Sequence, residues 1–154
     1  MKAEQLLKQL AQSLRLPNLA FNEQGCARIV FDGKVDVDLV SDPATGELHL
    51  CTHLAPLPAT GGEALYLSLL QANLQGQQTL GATLAVDEVE RQIVLNRTLL
   101  VNELAADDLL DVLQRFCASA GYWVQTLGET PNGNAAADAL TSEPAPAFSN
   151  YIRA

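Results

Sequence analysis

Apolar residues recur through the first fourteen positions at Ala3, Leu6, Leu7, Leu10, Ala11 and Leu14, with Gln5, Lys8, Gln9 and Gln12 between them. That 3.6-residue period predicts an amphipathic helix over Ala3 to Leu14, ended by Leu16-Pro17-Asn18, because proline disfavours a helical residue before it. The period then changes to two. Ala27, Ile29 and Phe31 alternate with Arg28 and Val30; Val35, Val37 and Leu39 alternate with Asp36 and Asp38; Leu48 and Leu50 alternate with Glu47, His49 and Cys51. Turn chemistry at Asp32-Gly33 and over Ser41 to Gly46 separates the runs, so they predict an antiparallel meander whose third strand covers Glu47 to Thr52, with one face in the core and the other largely polar.

Thr60-Gly61-Gly62-Glu63 has the spacing of a capping box and predicts a second helix ended at Gly76. Leu65, Leu67, Leu69, Leu70, Ala72 and Leu74 cover more than one stripe of that helix, so two of its faces are expected to be buried. Leu80 to Val86 and Gln92 to Leu100 read as a hairpin around Asp87-Glu88-Val89-Glu90. A last helix, Ala105 to Leu127, places Leu109, Val112, Leu113, Phe116, Ala120, Trp123, Val124 and Leu127 on one face, with Asp107, Asp108 and Asp111 near its positive end. The predicted class is α+β, in the order α-β-β-β-α-β-β-α. Residues 1–127 form one domain, and 128–154, rich in Ala, Pro, Asn, Gly and Ser and without periodicity, are expected to be a disordered tail dispensable for folding.

Composition narrows the partners. The 154 residues carry 9 Lys and Arg against 18 Asp and Glu, a formal charge of −9. Such acidity opposes the attraction that drives binding to nucleic acid or to an anionic membrane surface. No apolar run approaches the ~20 residues of a membrane span, and the start of the chain lacks the pattern of a signal peptide. Cys26, Cys51 and Cys117 lie far apart, without a CxxC pair, which suits a reducing compartment and predicts a cytoplasmic protein.

Candidate chemistry is sparse. His49, Cys51 and His53 share one strand face, but ~3.3 Å per residue puts the histidines roughly 13 Å apart, and the chain has no other histidine. A polar outer sheet face accounts for them better than a metal site. Asp36 and Asp38 share one solvated face, whereas acid–base catalysis needs two carboxylates in different environments. There is no nucleophile elbow and no phosphate-binding loop. Neither a catalytic residue, a metal nor a cofactor is implied.

Particular words remain. Leu14-Arg15-Leu16-Pro17-Asn18-Leu19, Asn22 through Asp32, Leu54-Ala55-Pro56-Leu57-Pro58, Leu69 through Leu74, Thr79 through Asp87 and the Phe116 to Trp123 segment follow in an order and spacing that resembles the class I type III secretion chaperones, the Tir chaperone or CesT-like family. The likeness spans about residues 1 to 127; the tail has no counterpart in it. It implies a homodimeric fold that binds the N-terminal region of a secreted bacterial effector, holds it extended without ATP, and delivers it to the secretion apparatus, with the secretion ATPase as a further partner. The alternatives are a YbjN-like domain of the same fold without a secretion role and, third, a small α+β enzyme. On the chaperone reading, client contacts are expected at Leu6, Leu10, Leu14, Val30, Val40 and Cys51. The dimer interface is expected at Leu67, Leu70, Leu74, Leu80 and Leu84.

Overall fold

The computed structural model describes residues 2–128. Helix α1, Ala3–Ser13, ends in a Schellman motif: the Leu16 amide donates to the Ala11 carbonyl, the Arg15 amide to the Gln12 carbonyl, and Arg15 takes the left-handed conformation at φ 55°. The helix has therefore closed before Pro17 is reached. Three antiparallel strands follow, β1 (Cys26–Phe31), β2 (Val35–Asp42) and β3 (Glu47–Pro56). Their turns form as the residues require. Asp32 and Gly33 both have positive φ, and Asp42 Oδ1 accepts the Ala44 amide at 2.9 Å.

β3 runs beyond the expected Thr52, because β5 (Gln92–Leu100) pairs along its whole length with a register shift between His53 and Ala55. β4 (Thr83–Asp87) lies outside β5, giving the sheet order β1-β2-β3-β5-β4, antiparallel throughout. The expected start of β4 at Leu80 is corrected: Leu80 and Gly81 have φ of 53° and 85°, which no strand residue adopts.

Helix α2, Glu63–Ala72, connects β3 to β4, and α3, Ala106–Gly128, closes the domain. The capping box is a second correction. The N-cap falls on Gly62, with no side-chain cap, and the Tyr66 ring lies where a Cβ on Gly62 would stand. α2 also ends earlier than expected, at Ala72, and a 3-10 turn over Leu74–Gly76 follows it.

α3 packs on β2 and β3, and α1 packs on α3. Leu6, Leu10, Leu39, Leu50, Leu95, Leu109, Phe116 and Trp123 form the centre of the single core cluster between the helices and one sheet face. The tail expected from 128 onward lies, apart from Gly128, outside the described residues.

Candidate functional site

The long α1 stripe is committed inside the protomer. Leu6 and Leu10 are fully buried and Leu14 nearly so, packed in the core cluster. The expectation that these three meet a client is therefore corrected, because a helix lying on α3 has no apolar face left over. Leu84 is corrected for the same kind of reason: strand alternation turns it into the core, while Leu80 is half-buried in the connection before β4.

Leu67, Leu70 and Leu74 are different, at 60%, 68% and 73% exposed. They mark an apolar face that the protomer does not cover. α2 buries only Ser68, Leu69 and Ala72, so a helix apolar nearly all round has been packed along one side.

The outer sheet face gathers the other candidates. Cys26, Val40, His49 and Thr98 lie in one cross-strand row, and Arg28, Asp38, Cys51, Asn96 and Thr83 in the next. Arg28 clasps Asp38 through two bonds, Nε to Oδ1 at 2.6 Å and Nη2 to Oδ2 at 2.9 Å, and that bond raises the guanidinium pKa above its ordinary value. His49 is engaged on both nitrogens, with Nδ1 3.0 Å from the Thr98 hydroxyl and Nε2 3.5 Å from Glu47. Val40 and Cys51 are half-buried among these neighbours, and burial pushes the Cys51 thiol up. Among the described residues no group of three or more His, Cys, Asp or Glu is placed to hold a metal ion.

Val30 stands apart at 51% exposed, on the free edge of the sheet. The Gly25 carbonyl accepts from the Ser41 amide, so alternation turns the amides and carbonyls of Cys26, Arg28 and Val30 away from β2. Cys26 is closed off. Its amide donates to Asn22 Oδ1 at 2.9 Å, and its carbonyl accepts from the Asn22 amide at 2.8 Å. Among the described residues no hydrogen bond reaches the outward amides and carbonyls of Arg28 and Val30. Beside them runs a groove of about 310 Å³ whose lining is mostly apolar, from Leu16, Pro17, Leu19, Ala20, Ile29 and Val30, with Asn18 and Arg28 also on its wall. The arrangement is a short backbone slot with an apolar wall, suited to one extended strand. A larger cleft of about 950 Å³ lies between the start of α1 and the β2–β3 turn, with Lys2, Glu4, Lys8 and Asp42 among a mixed lining.

Of the predicted residues, then, Val30 lines the slot, and Val40 and Cys51 lie one and two strands further in on the same face. Asn22 was not singled out from the sequence. Its signal was local: an asparagine whose side chain accepts the amide two residues on, at Gln24, is a common turn former.

An α+β protomer with a one-sided antiparallel sheet, an uncovered helix face and an open edge slot is the architecture of a binding module. The chain matches the Tir chaperone protein (CesT) family over residues 5–124 and belongs to that family. Solved structures share the fold. A chain of the ExsC–ExsE complex is 22% identical with a TM-score of 0.68, covering 81% of this chain and 96% of that one. The Yersinia pestis type III secretion chaperone SycH, in complex with a YscM2 fragment, gives 23% identity and a TM-score of 0.62, covering 78% and 98%. A chain of the Pseudomonas aeruginosa ExoU–SpcU complex gives 18% and 0.61, covering 77% and 94%. No curated protein sequence matches the chain.

Proposed function

We propose that this protein is a non-catalytic chaperone of type III secretion that binds the N-terminal region of an effector and keeps it extended until export. The observation that carries the reading is the open Arg28–Val30 edge beside an apolar groove, in a member of a chaperone family. An effector segment without structure of its own gains main-chain hydrogen bonds from such an edge and side-chain burial from the groove, which together offset its ordering entropy. Neither step uses ATP or a cofactor. The same reading makes the protein a homodimer through Leu67, Leu70 and Leu74 in the bacterial cytoplasm, with hand-over to the secretion ATPase. Among the described residues no helix is long and apolar enough to cross a membrane.

Val30→Pro tests the slot. Proline removes an outward amide and blocks an incoming strand, yet edge strands tolerate it because no ladder bond is lost. Affinity for an effector N-terminal segment, measured by calorimetry, should fall about tenfold or more, the worth of one or two charge-free hydrogen bonds plus lost contact. Full affinity in a variant with a normal circular dichroism spectrum would place the client elsewhere.

A further inference from the structure

The two edges of the sheet are finished differently, and the difference lies in side chains. An edge strand presents the amide and carbonyl of every second residue to its open side. Along β4 and the residue that leads into it those positions are Ala82, Leu84 and Val86. The Leu84 amide donates to Asn73 Oδ1 at 2.8 Å, and the Leu84 carbonyl accepts from Asn73 Nδ2 at 2.9 Å. A single carboxamide thus makes the pair of bonds that a residue of a neighbouring strand would make. One step earlier, the Ala82 amide donates to the Thr79 carbonyl at 3.1 Å, and the Ala82 carbonyl accepts from the Thr79 hydroxyl at 2.6 Å.

The connection carrying both residues is itself held in place. Asn73 is the C-cap of α2, and Thr79 is fully buried. Trp123 Nε1 donates to the Gln78 carbonyl at 3.1 Å, and Arg97 Nη1 to the Leu80 carbonyl at 3.3 Å. Gly81, at φ 85°, fits beneath that guanidinium, where a Cβ would stand 3.1 Å from Nη1. Of the outward positions on β4 only Val86 is left without such a partner among the described residues. On β1, Asn22 closes Cys26 in the same manner but leaves Arg28 and Val30 open.

We propose that Asn73 and Thr79 are edge plugs that close β4 to extended chains, and are thereby the residues that confine strand addition to the Arg28–Val30 slot. The second half of this statement rests on the client reading given above; the closure of β4 does not. Unplugged, β4 with the residue before it would offer three successive outward positions to β4 of a second copy.

The full-length protein without client is sufficient for the test. In Asn73→Ala, the Leu84 amide should exchange with deuterium at least about tenfold faster than in the wild type, because no other group covers it. Asn73→Asp, which keeps an acceptor for that amide, should fall between them. Sedimentation should show the Asn73→Ala protein associating with rising concentration beyond the wild-type species. Adding Val86→Lys, a charge on the opened edge, should restore the wild-type distribution while Leu84 exchange stays fast. A cap that merely held α2 in place would alter stability and exchange, but it would not create association that an edge charge suppresses.

Equal Leu84 exchange in wild type and Asn73→Ala overturns the proposal. So does an unchanged mass distribution, or association that Val86→Lys leaves intact. If Asn73→Ala does not fold, Asn73→Ser, uncharged and too short to bridge the Leu84 amide and carbonyl, supplies the same association readout with and without Val86→Lys, and no added association in it is again contrary. Failure here leaves the β1 slot standing, and failure of Val30→Pro to weaken client binding leaves the closure of β4 standing.

Discussion

Helices α1 and α2 are both leucine-rich, and they meet opposite fates. α1 gathers Leu6, Leu7 and Leu10 on one stripe, sets glutamine and lysine against it, and buries the whole stripe in the core where it packs on α3. α2 spreads its leucines around the axis, so any single packing surface leaves some outside; Leu67 and Leu70 are the ones left, and Leu74 in the 3-10 turn after the helix is exposed with them. The lesson concerns concentration of apolar residues on one face rather than their number. A helix with one dense stripe completes its own fold, whereas one with a diffuse apolar surface is incomplete until something else covers it.

The sharpest way to break this contrast is to damage each helix in turn. Leu10→Ala should cost about 2–5 kcal/mol in urea unfolding, since a fully buried leucine leaves a cavity that neighbours fill only partly. A loss below about 0.5 kcal/mol, the level of an ordinary surface change, would mean that the stripe is not core. Leu70→Asp should act on association instead. Light scattering of the wild type should give about twice the 16.5 kDa chain mass, and the variant the single-chain mass with its secondary structure kept. A wild type that is already monomeric at micromolar concentration removes the interface proposal.

Alkaline pH sharpens the interior side of the comparison. Cys117 lies in the core on α3, and its burial pushes the thiol from an ordinary 9.0 up to about 12. The folded state therefore keeps its proton where the unfolded chain has released it. Stability from this group is whole below pH 9 and falls by about 1.4 kcal/mol per pH unit above it, until the folded thiol also ionises. Cys117→Ala, though less stable overall, should lose this slope in urea titrations compared at about pH 8 and pH 10. The smallest effect is expected at Arg28 and Asp38. Their pair is largely solvated, so Arg28→Ala should cost no more than about 1 kcal/mol, and less in high salt. A larger loss would show that the outer face contributes to the fold as well as presenting the slot.

Much of this architecture was legible from periodicity. The three-strand meander, α1 and α3 follow from alternation and from the 3.6-residue repeat, because in those segments local preference and burial agree. The borders of α2 and β4 were not legible. Thr60 and Glu63 match a capping pattern, but the Tyr66 ring against Gly62 fixes where the helix starts. Leu80 looks like a strand residue, yet its left-handed backbone is held by a guanidinium seventeen positions later. The site was legible only in part. Val30 breaks an otherwise polar outer row, and that singled it out, whereas Leu6, Leu10 and Leu14 were misread because a leucine stripe looks the same whether a core or a client lies against it. Asn73 gave no local signal at all, since its partner is eleven residues away on β4.

The hydrogen bond from Trp123 to Gln78 has an optical consequence. Trp123 is the chain's one tryptophan, fully buried, with the Tyr122 ring edge-on at 5.4 Å. Its indole is tied to the connection that follows the α2 leucine face, not to the β1 groove. Ultraviolet emission therefore watches one half of the molecule and is nearly blind to the other. A partner seated near α2 would shift the colour or intensity of that light, while a peptide laid along β1 would leave it unchanged. One unlabelled sample thus distinguishes by wavelength which of the two surfaces has been engaged.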